Sequence, residues 1–172
     1  MTRHFLLLSL LFFASTFSCL VPTVTAVDAS GDTDFTRARV AVSTALDEAS
    51  AAATYLSQQT APANKDSGKP GGGAVKDCFT NLEDAVDMIR DSFKQMQSLK
   101  PDGDSSSVRF EVSNVQTWMS TALTNADTCT DGLEGEEGPL KTNISDRLVK
   151  VKKLISNALA LVNDFAKTLP TN

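Results

Sequence analysis

The sequence predicts an all-α protein, an up-down-up-down four-helix bundle. Three observations carry that reading. Apolar residues recur at steps of three and four in four separate blocks. No segment alternates apolar and polar residues as a half-buried strand does. The blocks are separated by stretches rich in Gly, Pro, Asp and Ser, and 172 residues is the length of one domain.

The first block runs from about residue 34 to 58. Phe35, Ala38, Val42, Ala45, Leu46, Ala49, Ala52, Ala53 and Leu56 fall on one stripe, mostly alanine, which allows neighbours to approach closely. Residues 60–73 hold three consecutive glycines and two prolines and read as a loop. The second block, about 74–99, turns Val75, Cys78, Leu82, Ala85, Val86, Ile89, Phe93, Met96 and Leu99 inward. Glu83, Asp84, Asp87, Arg90, Asp91 and Lys94 form its outer face. Residues 100–107 break the helix. The third block places Val112, Val115, Trp118, Met119, Ala122, Leu123, Ala126, Cys129 and Leu133 on one stripe, with Trp118 as a core filler. Residues 134–139 form another loop. The fourth block starts at Thr142 or Asn143, either of which can cap it. Its stripe is Ile144, Leu148, Val151, Leu154, Ile155, Ala158, Leu159, Val162, Phe165 and Leu169.

The N-terminus reads as a secretory leader over residues 1–26. Arg3 and His4 precede an apolar run that is too short to span a bilayer, and Val24-Thr25-Ala26 suits cleavage. The mature domain is then 27–172. Cleavage removes the only histidine, His4, and one of the three cysteines, Cys19. That loss excludes Ser-His-Asp and Cys-His nucleophilic machinery and a His-ligated zinc site. The sequence holds no glycine-rich phosphate loop, and its net charge of −5 with 6% aromatic residues argues against nucleic acid. No cofactor or metal is expected, and no membrane association after cleavage. An acidic chain fits a basic partner surface. Asn143-Ile144-Ser145 is an N-glycosylation sequon, with Asn143 as acceptor.

Cys78 and Cys129 remain, and bundle topology pairs them. Antiparallel second and third helices bring the start of one beside the end of the other, so Cys78 and Cys129 are placed to form a disulfide. The alternative is two free buried thiols.

Residues 77–92 (DCFTNLEDAVDMIRDS), 114–132 (NVQTWMSTALTNADTCTDG) and 156–163 (SNALALVN) resemble the plant invertase and pectin methylesterase inhibitor family. The resemblance spans about 34–169. It implies a secreted bundle of the apoplast or cell wall, with no catalysis of its own. Such a bundle blocks pectin methylesterase or, in the other branch, acid invertase. This sequence lacks the short N-terminal hairpin with two further cysteines that family members usually carry. It also lacks the Pro-Lys-Phe of invertase inhibitors, offering Val108-Arg109-Phe110 instead. The third block looks closer to the pectin methylesterase branch, which is the favoured target.

The resemblance also implies contact residues. Thr128 before Cys129, Asp131 after it and Asp84 on the second helix match positions that meet the enzyme. Thr80 stands where the family has an acid. Read from the residues alone, Asp84 equally belongs to a solvated face, Thr128 equally satisfies a carbonyl, and Asp131 equally makes a turn. Two other readings compete. One is an enzyme using a carboxylate pair such as Asp84 and Asp87, although no sugar-binding aromatic cleft is legible. The other is a truncated bundle that has lost inhibition and serves a structural or interaction role. The oligomeric state is not encoded legibly.

Overall fold

The computed structural model describes residues 26–60 and 72–170. They form four helices: α1 (Ala26–Thr60), α2 (Gly72–Ser98), α3 (Ser105–Gly132) and α4 (Pro139–Thr168). No strand occurs among the described residues. The leader read over 1–26 lies outside them but for Ala26, as does most of the loop read over 60–73.

Each helix packs on two neighbours, in the cyclic order α1–α2–α3–α4. Side chains fix the antiparallel sense. Phe35 near the start of α1 meets Phe165 near the end of α4, ring centroids 5.1 Å apart. Arg147 near the start of α4 stacks over the Tyr55 ring near the end of α1, at 4.1 Å. Arg109 near the start of α3 donates to the carbonyls of Leu169 and Pro170, at 3.3 and 2.8 Å. These contacts confirm the up-down-up-down bundle.

The four apolar stripes meet in one core. On α1 the alanines 38, 45, 49 and 52 are all but fully buried, so α1 presents a smooth surface to its neighbours. Larger residues from the other helices fill the space: Leu82, Ile89, Met119, Leu148, Ile155 and Phe165. Ser92 is the buried polar residue of the core, and its hydroxyl donates to the carbonyl of Met88, so its burial leaves no orphan. Leu46, Phe93, Leu123, Leu154 and Leu159 lie at the edge, half-buried against the core.

Several expectations are corrected. Trp118 is half-buried and stands outside the core cluster, because the inward face of α3 is centred on Val112, Val115, Met119, Ala122 and Ala126. Its ring sits about a quarter turn from that centre, where a helix edge meets solvent. α3 begins at Ser105, inside the break read over residues 100–107, and Val108 in its first turn is buried. Asp104 explains this: its carboxylate accepts from the Ser107 N–H at 3.0 Å and caps the helix early. The fourth helix starts at Pro139, not at Thr142 or Asn143. Proline's fixed φ and missing N–H suit the first helical position, and Gly138 adopts φ 97° before it, a region open to glycine. The first helix extends beyond the predicted 34–58 at both ends, and α2 begins at Gly72 inside the predicted loop.

Candidate functional site

Cys78 and Cys129 form the predicted disulfide, across a sequence separation of 51. Both are buried, at 1% and 0% exposure. The bond ties the start of α2 to the end of α3, so the residues flanking each cysteine share one end of the bundle. Thr80 follows Cys78 by two residues and is exposed, with its hydroxyl donating to the Lys76 carbonyl at 3.3 Å. Asp84 lies one turn further along α2, also exposed. Thr128 and Asp131 bracket Cys129 on α3 and are both exposed.

The local hydrogen bonds set what these groups can offer a partner. The Thr128 hydroxyl donates to the Thr124 carbonyl at 2.9 Å, the structural role the sequence left open for it. Its proton is therefore committed inward, and its lone pairs face solvent. Asp131 belongs to the last turn of α3 rather than to the loop after it, and its backbone carbonyl accepts the Glu134 N–H at 3.1 Å. Its carboxylate is thus held at a helix end. Asp127, one turn before Asp131 on the same side of α3, pairs with Lys152 of α4 at 3.0 Å.

One feature escaped the sequence reading. Thr117, Thr121 and Thr124 continue the line of Thr128 at steps of four, three and four. With Gln116 and Ser120 they line a shallow groove of about 380 Å³. Each of these threonine hydroxyls, and that of Ser120, donates to the carbonyl four residues back, at 2.8 to 3.2 Å. The signal was in the sequence as threonine at helical spacing. What was missing was the knowledge that this line faces solvent. A second groove, about 410 Å³, runs between α1 and α4 and is lined by Val40, Ala41, Leu154 and Leu161 among others. It lies across the bundle from Thr128. Among the described residues, no group of His, Cys, Asp and Glu side chains is arranged to hold a metal ion.

Asp84 and Asp87 are both exposed, and Asp87 pairs with Arg90. Neither lines either groove. The arrangement is a polar, acceptor-rich surface of two helices held in register by a disulfide.

A family model described as plant invertase/pectin methylesterase inhibitor matches residues 17–161. Pectinesterase inhibitor 11 of Arabidopsis thaliana is 42% identical over 96 residues, which is 55% of this chain and 48% of that protein. The 21 kDa protein of Daucus carota is 40% identical over 95 residues, 54% of this chain and 49% of that protein. The chain thus spans about half the length of these relatives. A crystal structure of a pectin methylesterase inhibitor from Arabidopsis thaliana superposes with a TM-score of 0.62 at 19% identity. It covers 81% of this chain and 80% of that one, a likeness of fold.

Proposed function

The chain belongs to the plant invertase/pectin methylesterase inhibitor family, and from that premise we propose that it is a secreted protein that binds pectin methylesterase and blocks it. The observation that carries this reading is the exposed surface around the Cys78–Cys129 bridge, where Thr80, Asp84, Thr128 and Asp131 offer acceptors. Thr80 and Thr128 spend their protons on their own helices, and Asp84 and Asp131 are acceptors when ionised. Such a surface suits an enzyme face that presents donors: Lys, Arg, amide or backbone N–H groups. The names of the similar Arabidopsis proteins favour pectinesterase as the target. Acid invertase is the second candidate, since the family includes both kinds of inhibitor.

Inhibition follows from occupation rather than chemistry. A rigid two-helix face laid over a substrate cleft excludes the polymer, and a few central contacts dominate the affinity. The test is a titration of pectin demethylesterification, with sucrose hydrolysis by a cell-wall invertase in parallel. Near one-to-one loss of pectin methylesterase activity, with invertase untouched, is expected. Replacement of a central contact, Thr128→Ala or Asp131→Lys, is expected to weaken inhibition by about thirtyfold, the effect of ~2 kcal/mol. Asp84→Ala should act in the same direction. Thr80→Asp, which installs the family's acid, should strengthen binding. Full potency in the Thr128, Asp131 and Asp84 variants together would remove this face from the proposal.

A further inference from the structure

Asn143-Ile144-Ser145 is the one Asn-x-Ser/Thr triplet in the sequence. In the folded chain Ile144 is fully buried while Asn143, beside it near the start of α4, is exposed. No other side chain among the described residues engages the Asn143 carboxamide. Its helical phase decides where a group attached to it would go. Asn143, Arg147, Lys150 and Leu154 follow one another at steps of four, three and four, so they share one line along α4. Three of the four are placed by their partners, all on α1. Arg147 stacks over Tyr55, Lys150 pairs with Glu48 at 2.7 Å, and Leu154 lines the groove with Val40 and Ala41. The other edge of α4 faces α3, through Lys152 to Asp127 and Asn163, which accepts from Gln116 at 2.7 Å. Asn143 therefore lies on the α1 edge, and the α1–α4 face is across the bundle from the α2–α3 face.

We infer that Asn143 is an N-glycosylation site whose glycan projects from the α1–α4 face and leaves the α2–α3 face open. The modification rests on the proposed passage of the chain through the secretory pathway. Its stated consequence rests on the proposed binding face. In the transfer, the Asn143 amide nitrogen attacks the anomeric carbon of a lipid-pyrophosphate-linked oligosaccharide. The nitrogen–carbon bond forms as the carbon–oxygen bond to pyrophosphate breaks. The lipid pyrophosphate leaves with the electron pair, and a base on the transferase takes the amide proton. Ser145 supplies the hydroxyl of the sequon and is half-buried in the bundle. Transfer therefore belongs to the nascent chain, before α4 packs. Once folded, the bundle carries the glycan at no cost in packing, because Asn143 contributes nothing to the core.

The test expresses the full chain through the secretory pathway of a eukaryotic host, as wild type, Asn143→Gln and Ser145→Ala. Mass is measured before and after N-glycosidase treatment, and pectin methylesterase inhibition is titrated with the glycosylated wild type and with Asn143→Gln. Expected are a glycosidase-sensitive mass step in the wild type, its loss in both variants, and equal inhibition by wild type and Asn143→Gln. A wild type without the step, or a step that persists in Asn143→Gln, overturns the site. Weaker inhibition by the glycosylated form than by Asn143→Gln overturns the placement of the glycan. If neither form inhibits, the proposed function fails, and the mass comparison still upholds or overturns the modification site.

Discussion

Asp104 shows how one side chain sets a helix boundary. Its carboxylate accepts from the Ser106 hydroxyl at 2.5 Å and from the Ser107 N–H at 3.0 Å. The Ser106 hydroxyl bond, followed by the Ser107 backbone bond, lowers its pKa below the ordinary 3.8. A depressed carboxylate stabilises the fold above its unfolded value, and that contribution is lost as pH falls through the folded value. Asp104→Ala should therefore melt below the wild type at neutral pH, and the two melting temperatures should converge in strong acid. Thermal melts followed by circular dichroism check this; a gap independent of pH would show that ionisation of the cap is irrelevant. Asp164 follows the same rule, lowered first by its hydrogen bond from Lys167 and exposed at the end of α4. The sequence indicated a break over 100–107 without locating the cap inside it. Asp and Ser serve turns and caps alike, and only the path of the chain separates the two.

Among the elements, the α2–α3 hairpin carries the covalent tie and the candidate contact residues together. The pairing of Cys78 with Cys129 is legible in the sequence, because antiparallel neighbours leave these two cysteines at the same end. The chain-entropy model for a closed loop of this length puts the contribution at roughly 4 kcal/mol, and measured disulfides typically deliver about 2–4 kcal/mol. The double variant Cys78→Ser/Cys129→Ser should lose stability in that range, with a lower denaturant midpoint and helix content retained. An unchanged midpoint would mean that the hairpin is held by packing alone. The start of α4 was less legible. Thr142 and Asn143 are good cap residues by type, yet Gly138-Pro139 starts the helix before either is reached. Proline at the first position and glycine in a positive-φ conformation outweigh a side-chain cap that is not made.

At the scale of the whole molecule, the bundle is asymmetric in how it fills its core. The middle of the α1 stripe is mostly alanine, between Phe35, Val42 and Leu56, while α2, α3 and α4 bring most of the branched and aromatic side chains. Close approach of α1 depends on that difference. Ala49→Leu should destabilise the fold by about 1–3 kcal/mol by overpacking a fully buried site. A lowered melting temperature checks it. The inhibitory stoichiometry of the molecules that remain folded should stay unchanged, since Ala49 is on the helix diagonal to α3. A variant as stable as the wild type would mean that α1 can move aside, and that its alanines are not required for the packing.

The sequence by itself determined the number of helices, the inward face of each, the single disulfide and the family. The first three follow from periodicity and residue type, and the family from the resemblance of residues 77–92, 114–132 and 156–163. A 3.6-residue repeat specifies which side of a helix is apolar whatever lies opposite. Tertiary structure alone decided where α3 and α4 begin and that Trp118 stands at an edge. It also decided which polar residues reach across to a neighbouring helix: Arg109 to Leu169 and Pro170, Gln116 to Asn163, Lys152 to Asp127. It placed Asn143 on the α1 side and showed the threonine line of α3 facing outward. These features depend on the rotation of each helix about its axis and its axial offset from its neighbours. Both are set by how the side chains of all four helices interlock, and that information is not local to any one segment.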